Sequence, residues 1–320
     1  MFGAFKEAVG FLERRFLLNA FFPSLIFWGA LLLTALAPDG GINRAAAAWT
    51  AQSVTVQIAL FGSFLTWVWF WAGIIASQWR SIVQLYEGYW SRRVRWLPEL
   101  GRKWHIKQVL RLYEDENDEA LYNHYPYASQ LDQVMPTRLG NILKNAELYS
   151  RYRYRADTVL LWPRLTHLVP DQFNRVLSDA RAQLEFLLVV SVLSSIYALL
   201  AGAYLLIVGA TWWIFLCCFW GGLFLAFGTY FGSLNNALVY AQQLKAGFDL
   251  YRTELLRQLR LDPPDNLAEE RELWEEIHEF FLLNVRYGWT LTNEPPAQDR
   301  AAVEVTVAAT PPLTASREDT

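Results

Sequence analysis

Charge is scarce in this 320-residue sequence: Asp, Glu, Lys and Arg make up 18% of it, against 53% apolar and 16% aromatic residues. That balance sets it apart from an ordinary soluble domain. Between Phe186 and Leu244 there is no Asp, Glu, Lys or Arg at all, and the same holds for Phe16–Pro38 and Ala45–Trp79. At 1.5 Å per helical residue the longest of these runs is about twice what a bilayer core of roughly 30 Å requires. It therefore reads as a hairpin of two spanning helices. The runs are continuously apolar, without the short alternating segments of a transmembrane barrel, which argues against a barrel.

Cysteine is nearly absent too. Cys217 and Cys218 are adjacent, which leaves no structural disulfide and no cysteine-based zinc site. They read as small apolar side chains. The histidines, His105, His124, His167 and His278, are far apart; a site in which Asp157 or Asp171 joins His167 is the one spatial possibility. No phosphate loop, nucleophile elbow, paired-histidine zinc motif or dinucleotide fingerprint is present. The expectation is a non-enzymatic protein without metal or cofactor.

What is there is an all-α integral membrane protein, its four transmembrane helices forming two hairpins. The spans are expected at Asn19–Ala37, Ser53–Trp79, Phe186–Val208 and Thr211–Gly232. Arg80, Arg92, Arg93, Arg95, Arg102, Lys103 and Lys107 follow the second span, and Lys245, Arg252, Arg257 and Arg260 follow the fourth. The short connections carry Arg44 or nothing, so the positive-inside rule puts both termini in the cytoplasm. A competing reading takes Arg14-Arg15 and the run to Ala35-Leu36-Ala37 as a cleaved secretory signal.

Around the spans the expected organisation is as follows. Residues 1–18 form an amphipathic interfacial helix, with hairpin 1 over 19–79 and a helical cytoplasmic insertion over 80–181. Hairpin 2 covers 182–234, cytoplasmic C-terminal helices 235–293, and a disordered tail 294–320, with a short strand possible at Val303–Val307. Pro23 is positioned to kink the first span. Asn266-x-x-Glu269 is a capping box starting a helix with Leu267, Leu273, Trp274, Ile277, Phe280 and Phe281 on one face.

Small residues recur at every fourth position in the second hairpin: Ser191 and Ser195, Ala198 and Gly202, Gly222 and Ala226, Gly228 and Gly232. Such faces allow close helix approach, within one bundle or between subunits. No ionisable Asp, Glu, Lys or Arg lies within a span, which argues against an ion-coupled pump. Gln57, Thr229, Ser233, Asn235 and Asn236 are the candidates for lining a wet vestibule.

The stretch Met135–Leu165 interleaves arginine with tyrosine. Pro136-Thr137-Arg138 makes a helix start with a hydroxyl cap, where Arg138 assists binding of an anion such as a lipid phosphate. Arg151, Arg153 and Arg164 complete the candidate lipid or anion set; if the segment is extended, Arg151, Arg153 and Arg155 share one side. Snorkelling at the interface is the plainer reading. Nucleic acid is not an expected partner.

The motifs PTRLGN (136–141), Ala146-Glu147, Tyr154 with Asp157, and WPRL (162–165) resemble a pattern in uncharacterised bacterial integral membrane proteins. The resemblance implies an inner-membrane location and no catalytic residue. The two-hairpin plan is similar to that of bestrophin-type anion channels, a likeness of fold only. The expected function is an oligomeric inner-membrane protein, self-associating within the lipid bilayer, that forms or regulates a pore. Two alternatives compete: a scaffold recruiting a cytoplasmic protein partner, and a lipid-acting enzyme using Asp157, Glu147 and His167.

Overall fold

The computed structural model describes residues 15–90, 96–285 and 287–289, the side chains of Asp39 and Ala128 excepted. Among the described residues the regular structure is helical. The expected interfacial helix falls largely on residues 1–14, and the expected tail and its strand on residues after 293; both lie outside the described residues.

A π-helical turn, Leu17–Phe21, leads into α1 (Phe22–Leu36). Pro23 lacks the amide that would bond to Asn19, and its ring crowds that carbonyl. The chain responds by widening the preceding turn, and the Phe22 amide reaches back to Leu17. A short 3-10 turn, Pro38–Gly40, and α2 (Gly41–Thr50) follow, so the connection expected as a loop is helical. Ser53 caps α3 (Val54–Ser77) by accepting from the Val56 amide. Then come α4 (Trp79–Glu87), α5 (Trp96–Glu114) and α6 (Asp118–His124), capped by Asn117. After a 3-10 stretch at Ala128–Gln133 the chain forms α7 (Arg138–Tyr154) and α8 (Thr158–Leu165).

The last three helices are α9 (Asp171–Val208), α10 (Trp212–Gln258) and α11 (Leu267–Leu283). Hydropathy marks only the apolar part of α9 and α10; the polar residues on either side continue the same helix, because no proline interrupts either one. At 1.5 Å per residue α9 and α10 are about 57 and 70 Å long, well beyond a bilayer core. Gly209, at φ +66°, makes the reversal between them, with Gly209 and Ala210 amides returning to Leu206 and Leu205. Among the described residues, the α1 helix with its π-turn, α3, α9 and α10 are the four helices long and apolar enough to cross a membrane.

Packing divides the chain into two compact units: Met1–Ala146 with Arg175–Gln243, and Glu147–Asn174 with Leu244–Thr320. In the first unit, α1 lies along α9. Asn19 donates to the Ala182 carbonyl at 3.0 Å, the Thr34 and Tyr197 hydroxyls meet at 2.8 Å, and Tyr204 donates to the Ala35 carbonyl. Trp28 packs on Trp67 and Trp71 of α3. The α9–α10 hairpin closes over its small residues: Ser191 Oγ donates to the Ala226 carbonyl at 2.7 Å. A Cβ on Gly222 would press on Ala198 at 2.9 Å, and one on Gly202 on the Phe219 ring at 2.8 Å. A smaller core gathers Val109, Tyr125 and Val134.

The second unit is built on a buried aromatic and aliphatic core including Tyr149, Leu161, Leu165, Phe248, Leu256, Trp274 and Ile277. Asn266 caps α11, accepting from the Ala268 and Glu269 amides and donating to the Glu269 carboxylate, as the capping box implies. Of the apolar face expected on α11, Trp274 and Ile277 are buried, whereas Leu267 and Phe280 are exposed.

Candidate functional site

The loop before α7 is held by three glycines. Gly88 sits at φ +97°, and a Cβ there would run into the Pro136 ring. A Cβ on Gly101 would strike the Pro136 carbonyl, and one on Gly140 the Glu87 carbonyl. Proline 136 is thus wedged between the end of α4 and the first turns of α5. Side chains lock it there. The Thr137 hydroxyl donates to the Tyr86 carbonyl at 2.7 Å and accepts from the Gly140 amide at 3.0 Å. Asn141, fully buried, accepts from the Met135 amide and donates to the Met135 and Thr137 carbonyls at 2.8–2.9 Å. The conspicuous residues of PTRLGN are therefore structural, and the Thr137 hydroxyl is committed to the protein on both its donor and its acceptor side.

Arg138 is different. Its guanidinium lies 6.0 Å from the Trp104 ring and 5.8 Å from that of Phe231, close enough for cation–π attraction. It faces a cavity of about 670 Å³ lined also by Gln108, His124, Tyr125, Asn235 and Leu238. Among the described lining residues there is no carboxylate. Beneath it His105 is buried, its Nδ1 3.0 Å from the Tyr125 hydroxyl. Burial, reinforced by the charge of Arg138, lowers the His105 pKa to about 4, so at neutral pH this ring is uncharged. Burial also pushes the Tyr125 phenol up, so it stays a neutral hydroxyl. The described lining therefore offers the positive charge of Arg138, amide groups from Gln108 and Asn235, and aromatic walls. Chemically that suits an anion carried next to apolar surface.

The other arginines of the expected anion set belong to the second unit and are engaged there. The helix runs on to Tyr154, so the segment is not extended, and Arg155 takes a left-handed turn at φ +60°. Arg151 pairs with Asp157 at 3.1 Å, and Arg155 with Glu275. Arg153 lies over Tyr149 and Tyr154, and its proximity to the Tyr149 oxygen raises its pKa further. Arg164 donates to the Leu160 carbonyl and stacks 4.1 Å over Phe281. The tyrosines serve a carboxylate that sequence reading did not single out: Tyr149 and Tyr154 both donate to Asp249, at 2.9 and 2.7 Å. Arg252 lies 4.1 Å over the Tyr154 ring and pairs with the buried Glu270 at 2.7 Å, to which Trp274 also donates.

The candidate vestibule residues do not converge. Gln57 donates to the Trp49 carbonyl, Thr229 to Leu225 and Ser233 to Tyr230. Asn235 lines the Arg138 cavity, and Asn236 a second one with Arg15 and Asn19. Of the small residues, Ser191, Ala198, Gly202, Gly222 and Ala226 pack inside the hairpin. Ser195 bonds back to the Ser191 carbonyl, Gly232 touches Leu187 at 3.6 Å, and Gly228 faces open space. Asp157 caps α8 through the Leu160 amide and lies 4.0 Å from His278, not His167. Among the described residues no three His, Cys, Asp or Glu gather in a metal-binding group.

Gln108 and His124 were not foreseen as partners of Arg138. The Trp104–Gln108 spacing puts both on one face of α5, but only the tertiary fold brings that face to α7 and α10. Comparison of the chain with protein-family models, curated proteins and solved structures finds no match to any of them.

Proposed function

We propose that the chain is a non-enzymatic subunit of an oligomeric membrane protein that forms or regulates a pore, and that an anion engages it at Arg138. The observation that carries this reading is the acid-free cavity at the polar end of the charge-free run of α10, where Phe231, Asn235 and Leu238 face Arg138. A cation left without a carboxylate beside a cavity attracts anions at the level where an apolar helix first becomes polar. The sparse burial of α3 and α10, 11% in their apolar windows, supports a subunit whose spans meet lipid or further copies. Placement of both termini inside belongs to the same proposal, resting on the distribution of Lys and Arg, and bacterial inner-membrane placement rests on the PTRLGN and WPRL resemblance.

The test is anion flux into proteoliposomes together with oligomeric state by light scattering in several mild detergents. The proposal expects an oligomer and an anion flux that falls when Arg138 becomes Gln. A monomer in every detergent, with no flux of any anion, overturns it.

A further inference from the structure

A second region of the first unit sets a polar chamber beside an apolar one, with Leu18 and Phe186 lining both. The chamber, about 620 Å³, is lined by Arg15, Asn19, Asp179, Gln183 and Asn236, with Leu18 and Phe186 at its edge. Leu18 and Phe186 also border a pocket of about 560 Å³ whose lining includes Ile26, Ala30, Val190, Tyr197, Cys218 and Gly221. Three helices contribute in the same order. Residues 15 and 19, then 26 and 30, come from the α1 segment; 183, then 190, from α9; 236, then 221 and 218, from α10. Each passes from polar to apolar in step with the others.

That order is the order of an amphiphile. From Arg15 to Ala30 is fifteen residues, or about 22 Å at 1.5 Å each. This equals about half of the 40–45 Å membrane thickness including headgroups, the depth of one leaflet. The polar end also has a charge pattern. Buried Glu185 is shared by Arg15 and Arg181, the latter at 2.9 Å, so one carboxylate serves two guanidinium groups and Arg15 keeps N–H donors beyond that pair. Arg15 keeps 27% of its side chain exposed. Asp179 lines the same chamber and supplies a negative charge. The chamber thus presents both signs and amide groups to one occupant.

We propose that this groove binds one glycerophospholipid, its phosphate at Arg15, its headgroup ammonium at Asp179, and one acyl chain in the pocket reaching Ala30 and Gly221. A zwitterionic ethanolamine headgroup fits both charges; a glycerol headgroup leaves Asp179 without a counter-charge. The site is separate from the Arg138 cavity, so the two proposals fail independently.

The experiment uses the full chain in nanodiscs holding equal amounts of ethanolamine, choline and glycerol phospholipids. After transfer to mild detergent and washing, retained lipid is measured by native mass spectrometry. The expected result is retention of the ethanolamine lipid above the other two. Asp179→Asn should lose that preference and still retain phospholipid. Gly221→Phe should lose the retained lipid altogether, since Gly221 lines the pocket and a Cβ there meets no atom within 4 Å, which leaves room for a larger side chain. Ala30→Phe serves as the second blocking variant, and unchanged thermal unfolding checks that both are folded. Equal retention of all three lipids by the parent protein, or retention undiminished in both folded blocking variants, overturns the proposal.

Discussion

The two ends of α7 carry the same residue types and use them in opposite ways. At its start Arg138 stands over Trp104 and Phe231, beside a cavity without a carboxylate. At its end Arg151, Arg153 and Arg155 are each taken up by an acid or by tyrosine rings. What separates them is the local supply of counter-charge. Around the end of the helix lie Asp157, Asp249, Glu270 and Glu275; around its start lie His105, kept neutral, and the phenols of Tyr125 and Tyr230. A cation matched by acids holds a fold together, and an unmatched one beside a cavity remains available to a ligand.

The contrast can be broken most forcefully at the matched end. Trp274→Ala removes a side chain at 1% exposure and should cost about 3–5 kcal/mol, read as a marked drop in thermal unfolding temperature in detergent. Tyr154→Phe deletes a hydrogen bond to the Asp249 carboxylate and should cost about 1.5–3 kcal/mol. Gly140→Ala drives a methyl into the Glu87 carbonyl at the start of the helix. It should cost about 1–3 kcal/mol and disturb anion flux as well, because it displaces the turn carrying Arg138. If Gly140→Ala leaves both stability and flux unchanged, the glycine-held loop is not what positions that arginine.

A smaller effect follows from His105. Its folded pKa, about 4, lies below the ordinary 6.5, so as pH falls the unfolded chain takes up the proton first. Stability from the neutral ring is complete above pH 6.5 and is lost as pH falls from 6.5 to about 4. His105→Gln should flatten this part of the stability–pH curve. Arg138→Gln removes one of the two causes of the shift, so the lower limit of the window should move upward. A lower limit unmoved by Arg138→Gln would show that the charge of Arg138 does not reach the buried ring.

Much of the helical plan was legible because charge-free runs and caps are local signals. Four apolar helices, the Asn266 cap and the proline near the start of α1 all leave marks in a window of a few residues. The length of α9 was not legible, since hydropathy reports solvent and not helix continuity; the polar turns Asp171–Glu185 extend a helix that composition alone would end. Nor was the division of labour among the arginines. Arg138 and Arg153 look alike in sequence, and only the fold brings Asp249, from α10, against Tyr149 and Tyr154, or Gln108 and Phe231 beside Arg138. Thr137 shows the converse: a correct sign of a helix start, whose hydroxyl the Tyr86 carbonyl and Gly140 amide already occupy.

The most direct test compares the two ends of α7 in one assay: thermal unfolding of the detergent-solubilised protein with increasing inorganic phosphate at constant ionic strength. Binding to the folded state raises the unfolding temperature in proportion to RT ln(1 + [L]/Kd). The account predicts a phosphate-dependent rise in the parent protein that is abolished in Arg138→Gln and retained in Arg153→Gln, whose own baseline is lower. A rise that survives Arg138→Gln and disappears in Arg153→Gln would contradict it.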